Sequence, residues 1–171
     1  MLSETAIQRF SRQVLLREVG GKGQERLLQQ SVRLAGDSQV MRQAQAYLVA
    51  GGTPVVQVEA DANFCVWPNV PSGAAPWVVV AGLKGASGIL WRTERGCRDC
   101  FERTLRRGHA PRWRDATEDF QLGVLAALTW QRAVLGVGEP IGARILQGEG
   151  LDPFPLDRCR QHGSEAAVAA D

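Results

Sequence analysis

A chain of 171 residues can bury one sizeable core, and its 44% hydrophobic and 22% charged residues fit a single water-soluble globular domain. The net charge of +2 is too close to balance to point to nucleic acid, lipid or any other partner by bulk attraction. The longest apolar runs, 77–83 and 122–128, are too short to span a bilayer, and the first ten residues lack a signal-peptide pattern. The expectation is a cytoplasmic protein with no membrane partner, whose four cysteines are reduced rather than bridged.

In chain order, Leu2, Ala6, Ile7, Phe10 and Val14 recur at helical spacing behind a Ser3 cap. Arg9 and Arg12 fall off that stripe and can reach outward. Gly20, Gly21 and Gly23 are expected to break this helix before a short second one over 24–30. A strand at 32–36, a helix over 38–50 stopped by Gly51-Gly52, and a strand at 54–59 make a βαβ unit. Residues 61–76, with several Pro and Gly, are expected to be loop. The apolar run 77–83 is a candidate buried strand, with 89–93 as its hairpin partner across 84–88.

Residues 97–107 form a short basic helix or loop, and 108–119 a polar loop. The helix over 120–135 is apolar almost all round, so it is buried or lies in an interface. Gly136, Gly138 and Pro140 stop it, and 143–146 is expected to be a last edge strand. Residues 163–171 are expected to be a disordered tail.

Cys97, Cys100, Cys159 and His162 have the C-x2-C and C-x2-H spacing of a structural zinc site, since tetrahedral Zn²⁺ accepts three thiolates and one imidazole. His109 is an alternative fourth ligand. A redox pair, incidental cysteines or a site lost in this lineage are the competing readings. Cys65, within Asn63-Phe64-Cys65-Val66-Trp67, fits a small buried residue better than a nucleophile. The arginine-rich stretch 92–114 with Trp113 also carries Glu94, Asp99 and Glu102, which favours a solvated face or an acidic partner over RNA.

Four segments in order carry a resemblance. They are RFSRQ at 9–13 with GKGQ at 21–24, the Cys97-Arg98-Asp99-Cys100 element, the stretch 122–146 through Gly-Glu-Pro at 138–140, and Cys159-Arg160-Gln161-His162. Together they resemble the MoeB/ThiF and ubiquitin-activating family of adenylyltransferases. The resemblance implies an α/β fold: a cut-down Rossmann-like sheet flanked by helices, with a zinc clasp. It implies one ThiF-like domain over 1–162, made of docking helices (1–30), a partial βαβ unit (31–60) and the family's C-terminal half (77–162).

It also implies that Arg12 matches an arginine that crosses a dimer interface to the partner's ATP. Such trans-acting arginines are worth roughly 10³–10⁵ in rate in phosphoryl transfer. Arg9 would be a supporting charge. The competing reading of Arg12 is a solvated residue on a surface helix.

Three departures qualify the resemblance. Where the family has a GxGGxG-type phosphate loop, this chain has Gly36-Asp37-Ser38-Gln39-Val40-Met41, with one glycine and a carboxylate. Glu59-Ala60-Asp61 stands where the family has Asp-x-Asp for the ribose, but the following stretch does not match. The family's later ATP-binding lysine and metal-binding aspartate have no matching position.

The expectation is a catalytically deficient subunit that binds no ATP alone. It would pair with a full-length ThiF/MoeB-like paralogue, or with a second copy of itself, and donate Arg12 in trans. The pair would adenylate the C-terminus of a ubiquitin-like or sulfur-carrier protein. The alternative is a non-catalytic adaptor for a carrier protein or precursor peptide, and the third reading is a self-sufficient ATP-using enzyme with a rebuilt site.

Overall fold

The computed structural model describes residues 1–67, 69, 77–83, 86–92, 100, 103, 115–138, 143–147 and 150–153. Among the described residues, six strands form one mixed sheet in sequence order. β1 (Val32–Ala35), β2 (Ala62–Val66) and β3 (Trp77–Leu83) run parallel, with Val32 opposite Ala62 and Phe64 opposite Val78. β4 (Ala86–Arg92), β5 (Ala143–Gln147) and β6 (Gly150–Pro153) add antiparallel pairs.

The N-terminal layer is α1 (Glu4–Arg9), α2 (Ser11–Val14) and α3 (Gly20–Gln29). Ser3 caps α1 by accepting from the Ala6 N–H, as its position suggests. Gly20 has φ +58 and marks the break, but Gly21 and Gly23 lie inside α3 instead of ending a helix. Gly23 is there for closeness: a Cβ on it would lie 2.8 Å from Leu135 Cδ2. Of the expected apolar stripe, Phe10 alone is buried, and Ile7 is 48% exposed.

α4 (Gln39–Gly51) follows β1, capped by Ser38 at its start and by Gly52 in the left-handed region, φ +93, at its end. The expected strand at 54–59 shrinks to a single parallel bridge between Val55 and Val32. The neighbouring strand comes instead from the stretch expected to be loop, since Ala62, Asn63, Phe64 and Cys65 are all buried in β2. Asn63 is tolerated there because its Oδ1 accepts from Arg33 Nε at 2.9 Å on the neighbouring strand.

α5 (Ala116–Leu135) starts four residues earlier than the apolar pattern suggests. Asp115 and Glu118 form a reciprocal capping box, so polar residues open the helix. β6 pairs with β5, so 143–147 is an inner strand and not the edge.

α4 and α5 cover one face of the sheet. Val40, Met41, Ala44 and Leu48 of α4 and Leu122, Ala126, Ala127 and Trp130 of α5 meet Val32, Phe64, Val78 and Val80. The alternate positions in β2, Asn63 and Cys65, are buried on the opposite face, which confirms Cys65 as a buried small residue. Gly123 sits at the helix crossing, where a Cβ would meet Gln43 Cβ at 2.7 Å and the Ala44 amide nitrogen at 3.1 Å. Among the described residues, no helix is long and apolar enough to cross a membrane.

Candidate functional site

The turn between β1 and α4 occupies the place where a Rossmann-type sheet holds phosphate. Ser38 Oγ accepts from the Met41 N–H at 3.2 Å, which satisfies one of the donors that a helix start could offer an anion. Asp37 Oδ1 accepts from Arg42 Nη1, and Arg42 also donates to Gln39 Oε1 from Nε at 3.3 Å and Nη2 at 3.2 Å. Among the described residues, Arg42 is the cation lining this turn, and it is engaged by Asp37 and Gln39. The adjoining cleft, about 220 Å³, is bounded by Leu34, Met41, Gln45, Val55 and Gln57 beside these groups. That is below the roughly 300–1,000 Å³ of a typical small-molecule pocket.

Asp61 lies at the other end of the strands. Its Oδ2 accepts from the Ser31 N–H at 2.6 Å and from Ser31 Oγ at 2.8 Å, tying the starts of β1 and β2 together. The Ser31 backbone N–H first, and then its hydroxyl, hold the Asp61 carboxyl below its ordinary pKa. Because β1 and β2 are parallel, this pair sits a strand length from the β1–α4 turn. Asp61 is thus a structural tie and not a group facing the cleft. Glu59 is exposed.

Arg12 lies exposed on α2. The turn that carries it is anchored on both sides, by the buried ring of Phe10 and by Gln13, whose Nε2 donates to the Ala50 carbonyl at 3.0 Å. Arg9 is also exposed, with its guanidinium carbon 5.2 Å from the centroid of the Phe10 ring.

Cys97, Cys159, His162 and His109 lie outside the described residues, as does the tail 163–171. Cys100 is described and buried. Among the described residues, no group of three or more His, Cys, Asp or Glu side chains could hold a metal.

Sequence reasoning missed a set of three glutamines. A helix leaves its last four carbonyls without intrahelical partners, and in α4 these belong to Leu48, Val49, Ala50 and Gly51. All four are satisfied. The Gly52 N–H bonds the Leu48 and Val49 carbonyls, Gln13 takes Ala50, and Gln24 Nε2 takes Gly51 at 3.1 Å. Gln131 Nε2 from α5 adds bonds to Tyr47 and Leu48 at 3.1 and 3.4 Å. Gln13 and Gln24 are the final residues of RFSRQ and GKGQ, so those two segments are anchors onto the end of α4.

No family model matches the chain, and no curated protein matches it in sequence. Solved structures do share its fold. PaaA superposes with a TM-score of 0.65 at 12% identity, over 88% of this chain and 72% of its own. E. coli MccB gives 0.60 at 10% identity, over 84% and 68%. A heterocyclase in complex with substrate and cofactor gives 0.56 at 17% identity, over 88% of this chain but 26% of its own length.

The fold is that of PaaA and MccB. At these identities it is the fold alone that is shared. This chain spans about a quarter of the heterocyclase.

Proposed function

We propose that this chain is a non-catalytic recognition component of a peptide- or carrier-modifying system. It binds a precursor peptide or a carrier protein and serves a separate enzyme that supplies the nucleotide chemistry, while binding no ATP itself. The observation that carries this reading is the Asp37–Arg42 pair in the β1–α4 turn: an acidic side chain, engaging the neighbouring arginine, stands in a turn that would have to offer free N–H groups and positive charge to a phosphate. The likeness to a heterocyclase, of which this fold is about a quarter, supports a role beside other catalytic parts.

A second reading is favoured by the exposure of Arg12 on an anchored turn. There the chain pairs with a full-length ThiF/MoeB-like paralogue and reaches that partner's ATP with Arg12, supporting adenylation of a ubiquitin-like or sulfur-carrier C-terminus. In both readings Cys97, Cys100, Cys159 and His162 are the donor set for one structural Zn²⁺, which suits three thiolates and an imidazole.

Affinity recovery at native expression, followed by ATP–pyrophosphate exchange on the recovered complex, tests the proposal. Recovery of a peptide or carrier with an enzyme, with exchange unaffected by Arg12→Ala, supports the recognition role. Exchange that falls with Arg12→Ala in an intact complex supports the trans arginine. Exchange by the purified chain alone overturns both.

A further inference from the structure

β1 has two edges, and its main-chain groups alternate between them. The Ala62 N–H bonds the Ser31 carbonyl, so in the parallel register Ser31, Arg33 and Ala35 turn their main-chain groups toward β2. Val32 and Leu34 turn theirs the other way. There the Val32 N–H bonds the Pro54 carbonyl, and the Val32 carbonyl accepts from the Val56 N–H, both at 2.9 Å. The chain thus lays one parallel rung on this outer edge, with Val55 opposite Val32. A second rung would join Leu34 to Val56 and Val58. Instead residues 57–59 bend away, and Val58 is 72% exposed. Among the described residues, neither the N–H nor the carbonyl of Leu34 has a main-chain partner on this side.

The open rung lies beside the cleft that Leu34, Val55 and Met41 line. Leu34 and Val55 both pack against the core on the α4 side of the sheet. A residue set opposite Leu34 on an added strand would share that face, so its side chain would enter the cleft. The cleft's two charged groups, Asp37 and Arg42, already pair with each other, and Gln45 and Gln57 add neutral amides. This lining suits an uncharged side chain.

We propose that the outer edge of β1 at Leu34 binds an extended segment of the peptide that this chain recognises. The peptide's main chain takes up the Leu34 N–H and carbonyl, and one uncharged side chain fills the cleft. This rests on the recognition reading above and gives it a place on the fold. An extended peptide is the occupant because it presents a carbonyl and an N–H from residues two apart on one side. Pro54 and Val56 offer that same pair at the preceding rung.

Main-chain pairing tolerates many sequences, so random heptapeptides displayed on phage are the probe, selected against the full chain. The strongest binder is then synthesised and titrated. Hydrogen exchange of the Leu34 amide, read by NMR, is expected to be fast in the free chain and to slow at least tenfold with this peptide bound. Gln45→Trp fills the cleft from an exposed helix position. It is expected to weaken binding at least tenfold and to keep the parent's unfolding midpoint. Single N-methyl groups placed along the peptide should weaken binding at alternate positions.

A binder that leaves Leu34 exchange unchanged overturns the edge site and leaves the recognition role standing. So does a binder that the Gln45→Trp chain holds equally well. A library that yields no binder overturns both. Leu34 exchange that is already slow in the free chain also overturns the proposal. If slow at every chain concentration, it shows that residues 57–59 close the rung themselves. If slow only at high concentration, it assigns the edge to a second copy.

Discussion

Gly51 and Gln131, 80 residues apart in sequence, meet so closely that a Cβ on the glycine would overlap the glutamine's amide. The same amide donates to the Tyr47 and Leu48 carbonyls, so α5 grips α4 by its C-terminal turn. This contact predicts an unusual coupling. Gly→Ala inside a helix ordinarily stabilises by about 1 kcal/mol. Here Gly51→Ala should destabilise the parent chain and stabilise a Gln131→Ala background. Gln131→Ala alone should cost about 0.5–1.5 kcal/mol, because it removes an added donor while the Leu48 carbonyl keeps its backbone partners. Urea unfolding of the four proteins measures the cycle, and additive effects would remove the contact from the account.

Gln13 makes a different prediction, since its contact is less enclosed. Gln13→Ala should cost about 0.5–1.5 kcal/mol and loosen α1 and α2 more than the sheet. Hydrogen exchange should speed up over residues 4–16 and stay unchanged in β2. Uniform acceleration across both would mean that Gln13 supports the whole fold and not the N-terminal layer alone.

Asp61 gives the pH prediction. Its folded pKa lies below the ordinary carboxylate value, so its contribution is present above that value and is lost as pH falls through the folded pKa. Asp61→Asn should therefore lower the melting temperature at neutral pH and converge with the parent in acid. Asp61 is exposed, so solvent screening holds the effect to about 1 kcal/mol or less. That corresponds to about 2–4 °C in a chain of this size. Parallel pH–Tm curves for the two proteins would contradict the tie to Ser31.

The proposed zinc site is tested by elemental analysis of the purified chain. One zinc per chain is expected, with loss of metal and of stability in Cys97→Ser and Cys159→Ser variants. Structural zinc contributes on the order of 10–16 kcal/mol of binding energy, so chelation should unfold the region it holds. A metal-free chain with an unchanged unfolding curve in chelator would remove zinc from the proposal.

The features legible in the sequence were local. Ser3 and Ser38 cap helices, and Gly52 and Gly136 end them in the left-handed region. Each signal acts within a few residues. The start of α5 was legible too, since Asp115 and Glu118 have the capping-box spacing, but their polarity makes the segment resemble loop. β2 was hidden because Asn63 interrupts its apolar run, and only Arg33 on the neighbouring strand makes that residue acceptable. The glutamine set could not be read locally, because Gln13, Gln24 and Gln131 reach partners 37, 27 and 84 residues away. The β1–α4 turn was the clearest functional signal. Asp37 is visible as a charge in a glycine's place, whereas its pairing with Arg42 needed the helix to bring the two together.

The measurement that bears most directly on the recognition role is calorimetric titration of the purified chain with ATP and Mg²⁺. The Asp37–Arg42 arrangement predicts no saturable binding at millimolar nucleotide. Stoichiometric binding with a micromolar dissociation constant would contradict it and return the chain to the ATP-using enzymes.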